Sequence, residues 1–168
     1  MKSLWAPWRM EYINGRAGRG GGCIFCPTGE ARSSEAELRL YSDATASVLM
    51  NRFPYANGHL LIAPRRHVAD LTELTPAEHA SCMQLLSKSV TILRHHLNPD
   101  GCNIGLNLGT TAGAGIAAHL HWHLVPRWEG DHNFMTVVGE IRTIPEHLER
   151  TFARLLPDFQ AITSESQP

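Results

Sequence analysis

Residues 119–123 read His-Leu-His-Trp-His, three imidazoles at every second position of an apolar run that continues through Leu124, Val125 and Pro126. Alternate side chains of an extended chain share a face, so the pattern predicts a strand over His119 to Val125 with His119, His121 and His123 on one side. Leu120, Trp122 and Leu124 then pack into a core, which makes Trp122 a packing residue and not a platform for a stacked base. Neighbouring imidazoles on one face lie about 7 Å apart, close enough to act on one phosphate or to share one metal. Both uses exploit a side chain that titrates near neutrality. A chance cluster of surface histidines is the blander alternative, and the strict alternation against a fully apolar opposite face argues against it.

The rest of the chain narrows the partners such a strand could serve. At 168 residues there is room for one domain with one core. The formal charge is −1, and the basic residues are scattered apart from Arg16, Arg19 and the pair Arg65-Arg66, which argues against nucleic acid as a partner. No apolar run reaches the length of a membrane span, so no membrane partner is expected. Pro7, Arg9 and Glu11 interrupt Met1 to Ile13, leaving no apolar core for a secretory leader, and a cytoplasmic location is the expectation. Four cysteines are too few for a disulfide framework.

Punctuation and periodicity divide the chain into three parts. Residues 1–22 read as an aromatic arm (Trp5, Pro7, Trp8, Tyr12) on a glycine-rich linker, Gly15 to Gly22, that packs on its own domain or on a second subunit. Residues 23–159 form the domain, with Pro27 to Glu37 a polar loop, and 160–168 a polar tail. Short strands are predicted at Leu38 to Tyr41, Ala46 to Met50, Leu60 to Ala63, Cys102 to Asn107 and His119 to Val125. A long helix should run from Pro76 to Leu97, because Thr75, Pro76 and Glu78 make a capping box and Cys82, Met83, Leu86, Val90, Leu93 and Leu97 follow at helical spacing. A shorter one should begin at Pro145 and stop near Leu156, before Pro157, burying Leu148, Phe152, Leu155 and Leu156. The fold class is therefore α+β: a mainly antiparallel sheet with one long helix and a shorter C-terminal helix over one face.

Two constellations carry chemistry. A neutral imidazole nitrogen can attack phosphorus and hold the transferred group as a phosphoramidate, dividing one difficult displacement into two easier ones. Flanking histidines can fix its tautomer and approach the leaving or a non-bridging oxygen. The small-residue loop Gly109 to Gly115, directly upstream, could bring backbone N–H groups to an anion. Cys23 and Cys26 have the spacing of zinc ligands, with His67 and His119 candidates to complete a tetrahedron, and a metal role is favoured over a redox dithiol or inert thiols. Cys82 and Cys102 sit in apolar registers and read as buried hydrophobes. His79, His95, His96, His132 and His147 read as solvated side chains, and His59, after Asn57-Gly58, as either a turn residue or a nucleotide contact.

At this point the chain resembles a known family. His-Leu-His-Trp-His-Leu-Val matches the alternating pattern of the histidine triad superfamily of nucleotide hydrolases and transferases, and Asn51 to His67 resembles that family's strand-turn-strand beside the nucleoside. Leu4-Trp-Ala-Pro-Trp-Arg9, Cys23-Ile-Phe-Cys26, Pro126-Arg127-Trp128 and Asn133-Phe134-Met135 are similar to the subgroup of bacterial diadenosine tetraphosphate phosphorylases. The resemblance implies a usually dimeric enzyme whose substrate is a dinucleoside polyphosphate or related nucleotide. It implies His121 as the nucleophile, His123 as the group that polarises the phosphate, and His119 beside them. Asn51, Phe53, His59, Asn107, Gly113, Ala114 and Gly115 would contact the nucleotide. A structural Zn2+ would be held by Cys23, Cys26, His67 and His119. Gly115 departs from hydrolytic members, which carry glutamine four residues before the first triad histidine, so inorganic phosphate stands beside water as acceptor. Alternatives are a nucleoside phosphoramidate hydrolase, a zinc hydrolase with all three histidines as ligands, and a nucleotide-binding module without turnover. The uridylyltransferase branch fits less well, since its pattern ends in glutamine where this chain has His123.

Overall fold

The long helix forms where its capping signals place it. In this computed structural model, which describes residues 23–26, 38–131 and 146–162, helix α1 spans Pro76–Leu97. The Thr75 hydroxyl accepts the Glu78 N–H at 3.2 Å and the Glu78 carboxylate accepts the Thr75 N–H at 2.8 Å, so two otherwise orphaned donors are satisfied reciprocally. Its buried stripe runs through Cys82, Leu85, Leu86, Ser89, Ile92 and Leu93. Met83 is 40% exposed, against expectation, and Val90 and Leu97 are only partly buried. These three recur every seven residues and drift to the flank of a stripe whose true period is 3.6.

Five strands make one sheet: β1 (Arg39–Ser42), β2 (Ala46–Met50), β3 (Leu60–Pro64), β4 (Gly101–Leu106) and β5 (Trp122–Arg127). The spatial order is β1-β2-β3-β5-β4, with every neighbouring pair antiparallel. The α+β expectation holds in the helices' placement on one face as well. Because β5 inserts between β3 and β4, it has a hydrogen-bonding neighbour on each side. Leu61 and Gly105 sit opposite His123, one from each flank. Strand β5 begins at Trp122, so His119 and His121 precede it and only His123 lies within the ladder. The expected strand starts three residues early, because Leu120 N–H is drawn off to the Val68 carbonyl at 2.7 Å, and it stops two residues short of Arg127.

The two sheet faces differ. Val48, Leu60, Ile62, Trp122 and Leu124 point to α1 and to helix α2 (Leu148–Gln160), whose Phe152, Leu155 and Phe159 are buried. Leu49, Leu61 and Ala63 point the other way, onto Phe25, which is completely buried. That second cover explains why every residue of β2 and β3 is buried. Helix α2 continues through Pro157, correcting the expected stop. Pro157 and Ala153, whose carbonyl loses a partner, both face solvent, while Phe159 extends the apolar stripe beyond the proline. The N-terminal arm, the loop 27–37, His132, Asn133-Phe134-Met135, the expected start at Pro145 and most of the tail lie outside the described residues. Cys82 is buried, its thiol pushed up to about 12 by desolvation. Cys102, expected to be buried, is half-buried, because β4 is the outer strand.

Candidate active site

Three segments distant in sequence converge on the face under Phe25. The turn at Cys23–Cys26 lays Phe25 over the histidines, with ring centroids 5.0 Å from His119 and 4.9 Å from His121. His119 is fully buried and His121 only 5% exposed, while His123 is half-buried. Leu120, Trp122 and Leu124 enter the core as expected.

Hydrogen bonds assign a distinct state to each ring. His119 Nε2 donates to the Pro64 carbonyl at 2.9 Å, leaving Nδ1 as a lone pair. His121 Nδ1 donates to the His119 carbonyl at 2.8 Å, which leaves His121 Nε2 unprotonated. Burial holds the His121 pKa below the usual imidazole value, opposed by that same hydrogen bond. A desolvated neutral imidazole with a fixed tautomer is the state a nucleophile requires.

His123 is governed by a residue whose role the sequence left open. His59 Nδ1 accepts the Tyr55 N–H at 3.1 Å, so the His59 proton must reside on Nε2, which lies 3.0 Å from His123 Nδ1. That bond makes His123 Nδ1 an acceptor and leaves its Nε2 carrying a proton to donate. Desolvation, then the neighbouring His123 and His121 rings, pull the His59 pKa down to about 3, so His59 stays neutral. The Asn51 side chain joins the relay, its Nδ2 3.2 Å from His59 Nδ1 and its Oδ1 accepting the Phe53 N–H at 2.9 Å. Asn51 and Phe53 thus shape the turn that carries His59.

His123 and Asn107 line an open cavity of about 940 Å³, together with Asn103, Gly105, Val125 and Arg127 from the same sheet face. The guanidinium of Arg127 is held by Asp131 at 2.5 and 2.8 Å and reaches Asn103 Oδ1 at 3.0 Å. In the loop before the triad, Gly113 N–H and Ala114 N–H are spent on the Thr110 and Gly109 carbonyls. They are therefore not donors to an anion in this conformation, while Gly115 remains exposed. Among the described residues, the donor sets that could hold a metal include His119 but neither His121 nor His123, so the three rings share no ion. This geometry removes the reading in which all three are zinc ligands.

Cys23, Cys26, His67 and His119 are brought together as one donor set, all four donor atoms within 4.8 Å of one another. The His119 Nδ1 atom lies 3.2 Å from Cys23 Sγ, 3.6 Å from Cys26 Sγ and 3.2 Å from His67 Nδ1. Tetrahedral ligands about 2.0–2.3 Å from a central ion stand roughly 3.3–3.8 Å apart, so these spacings fit zinc. Burial, then the adjoining Cys23 sulfur, raises the Cys26 thiol, a penalty that a divalent cation reverses. Burial likewise lowers the His119 pKa, favouring the neutral ring that can ligate.

Comparison with known proteins agrees with this geometry. A family model described as HIT domain matches residues 32–130. An AP-4-A phosphorylase from Mycobacterium tuberculosis is 36% identical over 160 residues, covering 90% of this chain and 80% of its own. The crystal structure of a Zn-bound histidine triad family protein from Mycobacterium smegmatis superposes with a TM-score of 0.60 at 28% identity, covering 74% of this chain and 85% of that one. A HIT-like protein from Bartonella henselae, at 23% identity, shares the fold, with a TM-score of 0.59 over 72% of this chain and 85% of its own.

Proposed function

The chain belongs to the HIT domain family, and from that premise we propose that it is an enzyme that cleaves dinucleoside polyphosphates by nucleotidyl transfer through His121. The observation that carries this reading is the fixed tautomer of His121, Nδ1–H bound to the His119 carbonyl and Nε2 unprotonated. In the first displacement His121 Nε2 bonds to the α-phosphorus and the phosphoanhydride P–O bond breaks. His123 Nε2–H donates a hydrogen bond to the phosphate and stabilises the charge that develops on the departing oxygen, and the polyphosphate leaves as its anion. In the second displacement the acceptor oxygen bonds to phosphorus, the P–N bond to His121 breaks, the acceptor's proton is lost to solvent, and His121 is released neutral with Nδ1–H still in place. Asn107 lies on the cavity wall beside His123, consistent with a contact to the phosphate chain.

Inorganic phosphate is the acceptor this reading favours. Its support is the AP-4-A phosphorylase that shares 36% of aligned residues, together with Gly115, which leaves space where hydrolytic members carry a glutamine side chain. Cys23, Cys26, His67 and His119 would hold Zn2+, which supplies a closed structural tie and no substrate position. His119 then acts through its carbonyl on His121 and does not touch the reacting atoms.

Product analysis with diadenosine tetraphosphate tests the assignment. ADP and ATP, formed only when phosphate is added, are the expected products. AMP and ATP without phosphate would make the protein a hydrolase, and cleavage of nucleoside phosphoramidates alone would overturn the dinucleoside substrate. His121→Ala should lower the rate by about four orders of magnitude or more, as for loss of a catalytic nucleophile. A nucleotide-binding module would show no turnover to lose.

A further inference from the structure

The C-terminal turns of α1 and α2 meet away from the triad, around side chains that the sequence alone presents as solvated. His96 is half-buried, with Nε2 2.8 Å from Asp158 Oδ2, and His95 lies edge-on against it, ring centroids 4.8 Å apart at 78°. One donor atom each from His95, His96 and Asp158 lies within 4.8 Å of the other two. Both helix ends place partial negative charge here, and Asp158 adds a full carboxylate to the last turn of α2, which carries no basic residue, while Arg94 stands in the last turn of α1 beside the two histidines.

We propose that His95, His96 and Asp158 form a second divalent-metal site, separate from the Cys/His cluster, that binds an ion of the zinc, nickel or copper class. Two imidazoles and a carboxylate match the ligand preference of such ions and not of magnesium or calcium, which select oxygen donors. Bond lengths of about 2.0–2.2 Å require donors some 3.3 Å apart, so the 2.8 Å pair opens slightly and the exposed His95 ring swings inward. Three protein ligands leave a coordination position for water or another oxygen donor. Because His96 also lines the 940 Å³ cavity that His123 borders, the ion would stand at the wall of that cavity. It would also fasten α1 to α2.

Nickel is a suitable probe. Protein loaded with one equivalent of zinc is titrated with Ni2+ by calorimetry, and its zinc content is measured afterwards. The expected result is one equivalent of bound Ni2+ with a dissociation constant in the micromolar range, retained zinc, and a raised melting temperature. His95→Ala and Asp158→Asn should each weaken the second equivalent by about tenfold or more. His95→Ala leaves the His96–Asp158 pair in place, so its fold and its metal-free melting temperature serve as the internal control. Absence of a second equivalent at millimolar Ni2+, nickel bound only as zinc is lost, or unchanged binding in both variants would overturn the site.

Discussion

At the scale of single residues, the site is an arrangement of tautomers. His119 is fixed by the Pro64 carbonyl, His121 by the His119 carbonyl, and His123 by His59, whose own state is set by the Tyr55 N–H. Each ring therefore has one nitrogen already committed, which in the proposed mechanism would spare His121 and His123 reorganisation during the chemical step. His59 yields a prediction with a definite sign. Its pKa in the fold, about 3, lies below the unfolded value of 6.5, so the unfolded chain binds more protons between those limits. The stabilisation from a neutral His59 is thus fully present above pH 6.5 and is lost as pH falls toward 3. Ring NMR at pH 5 should show a neutral-histidine signal that is missing from His59→Gln. The same variant should keep its fold and lose activity by about a hundredfold, because His123 is then free to adopt either tautomer. A His59 that titrates near 6.5, or a variant with full activity, would contradict the relay.

The elements explain what the sequence could and could not reveal. The start of α1 was legible because Thr75, Pro76 and Glu78 act locally, through bonds that span three residues, and its end because the apolar spacing stops at Leu97. The alternation from His119 onward correctly separates Leu120, Trp122 and Leu124 from the histidines, since period two is a property of any extended backbone. The hydrogen-bond partner of His123 was not legible. His59 and His123 are 64 residues apart and meet only because β5 inserts beside β3, a pairing that no local pattern encodes. The burial of His119 and His121 was hidden for a similar reason, since Phe25 reads as a mere spacer between two cysteines until the turn folds over the sheet. The end of α2 was misplaced because proline normally stops a helix, and here its missing bond falls on the solvent side.

The cysteine turn, the end of β3 and the approach to β5 are joined by the four-residue cluster, so the zinc proposed there should matter to elements that never touch substrate. Stripping zinc with a chelator should lower the melting temperature by about 10 °C or more and expose Cys23 and Cys26 to alkylation. Activity should fall with it, since the His119 carbonyl that orients His121 loses its anchor. A metal-free protein that melts as before, with both thiols protected, would show that packing of Phe25 alone holds the turn.

For the whole molecule, β4 is an outer strand whose face is largely exposed, and Ile104 is 50% exposed on it. An outer strand of this kind supports pairing with a second copy of the chain, as the family resemblance implies. Light scattering should return twice the chain mass for the native protein and the single mass for Ile104→Glu, while a native monomer would contradict the dimer. No helix among the described residues is long and apolar enough to cross a membrane. The three triad rings and Arg127 lie on the sheet face away from the helices, while the cavity that His123 and Arg127 border reaches round to His96 of α1 and Arg154 of α2.

The central claim is that His121 becomes covalently bonded to phosphorus, and it can be observed directly. Protein mixed with excess diadenosine tetraphosphate without added phosphate, quenched within milliseconds and digested, should yield an adenylylated peptide containing His121, with the adduct labile to acid and absent from His121→Ala. Turnover at the native rate with no such adduct, or an adduct formed at another residue, would contradict it.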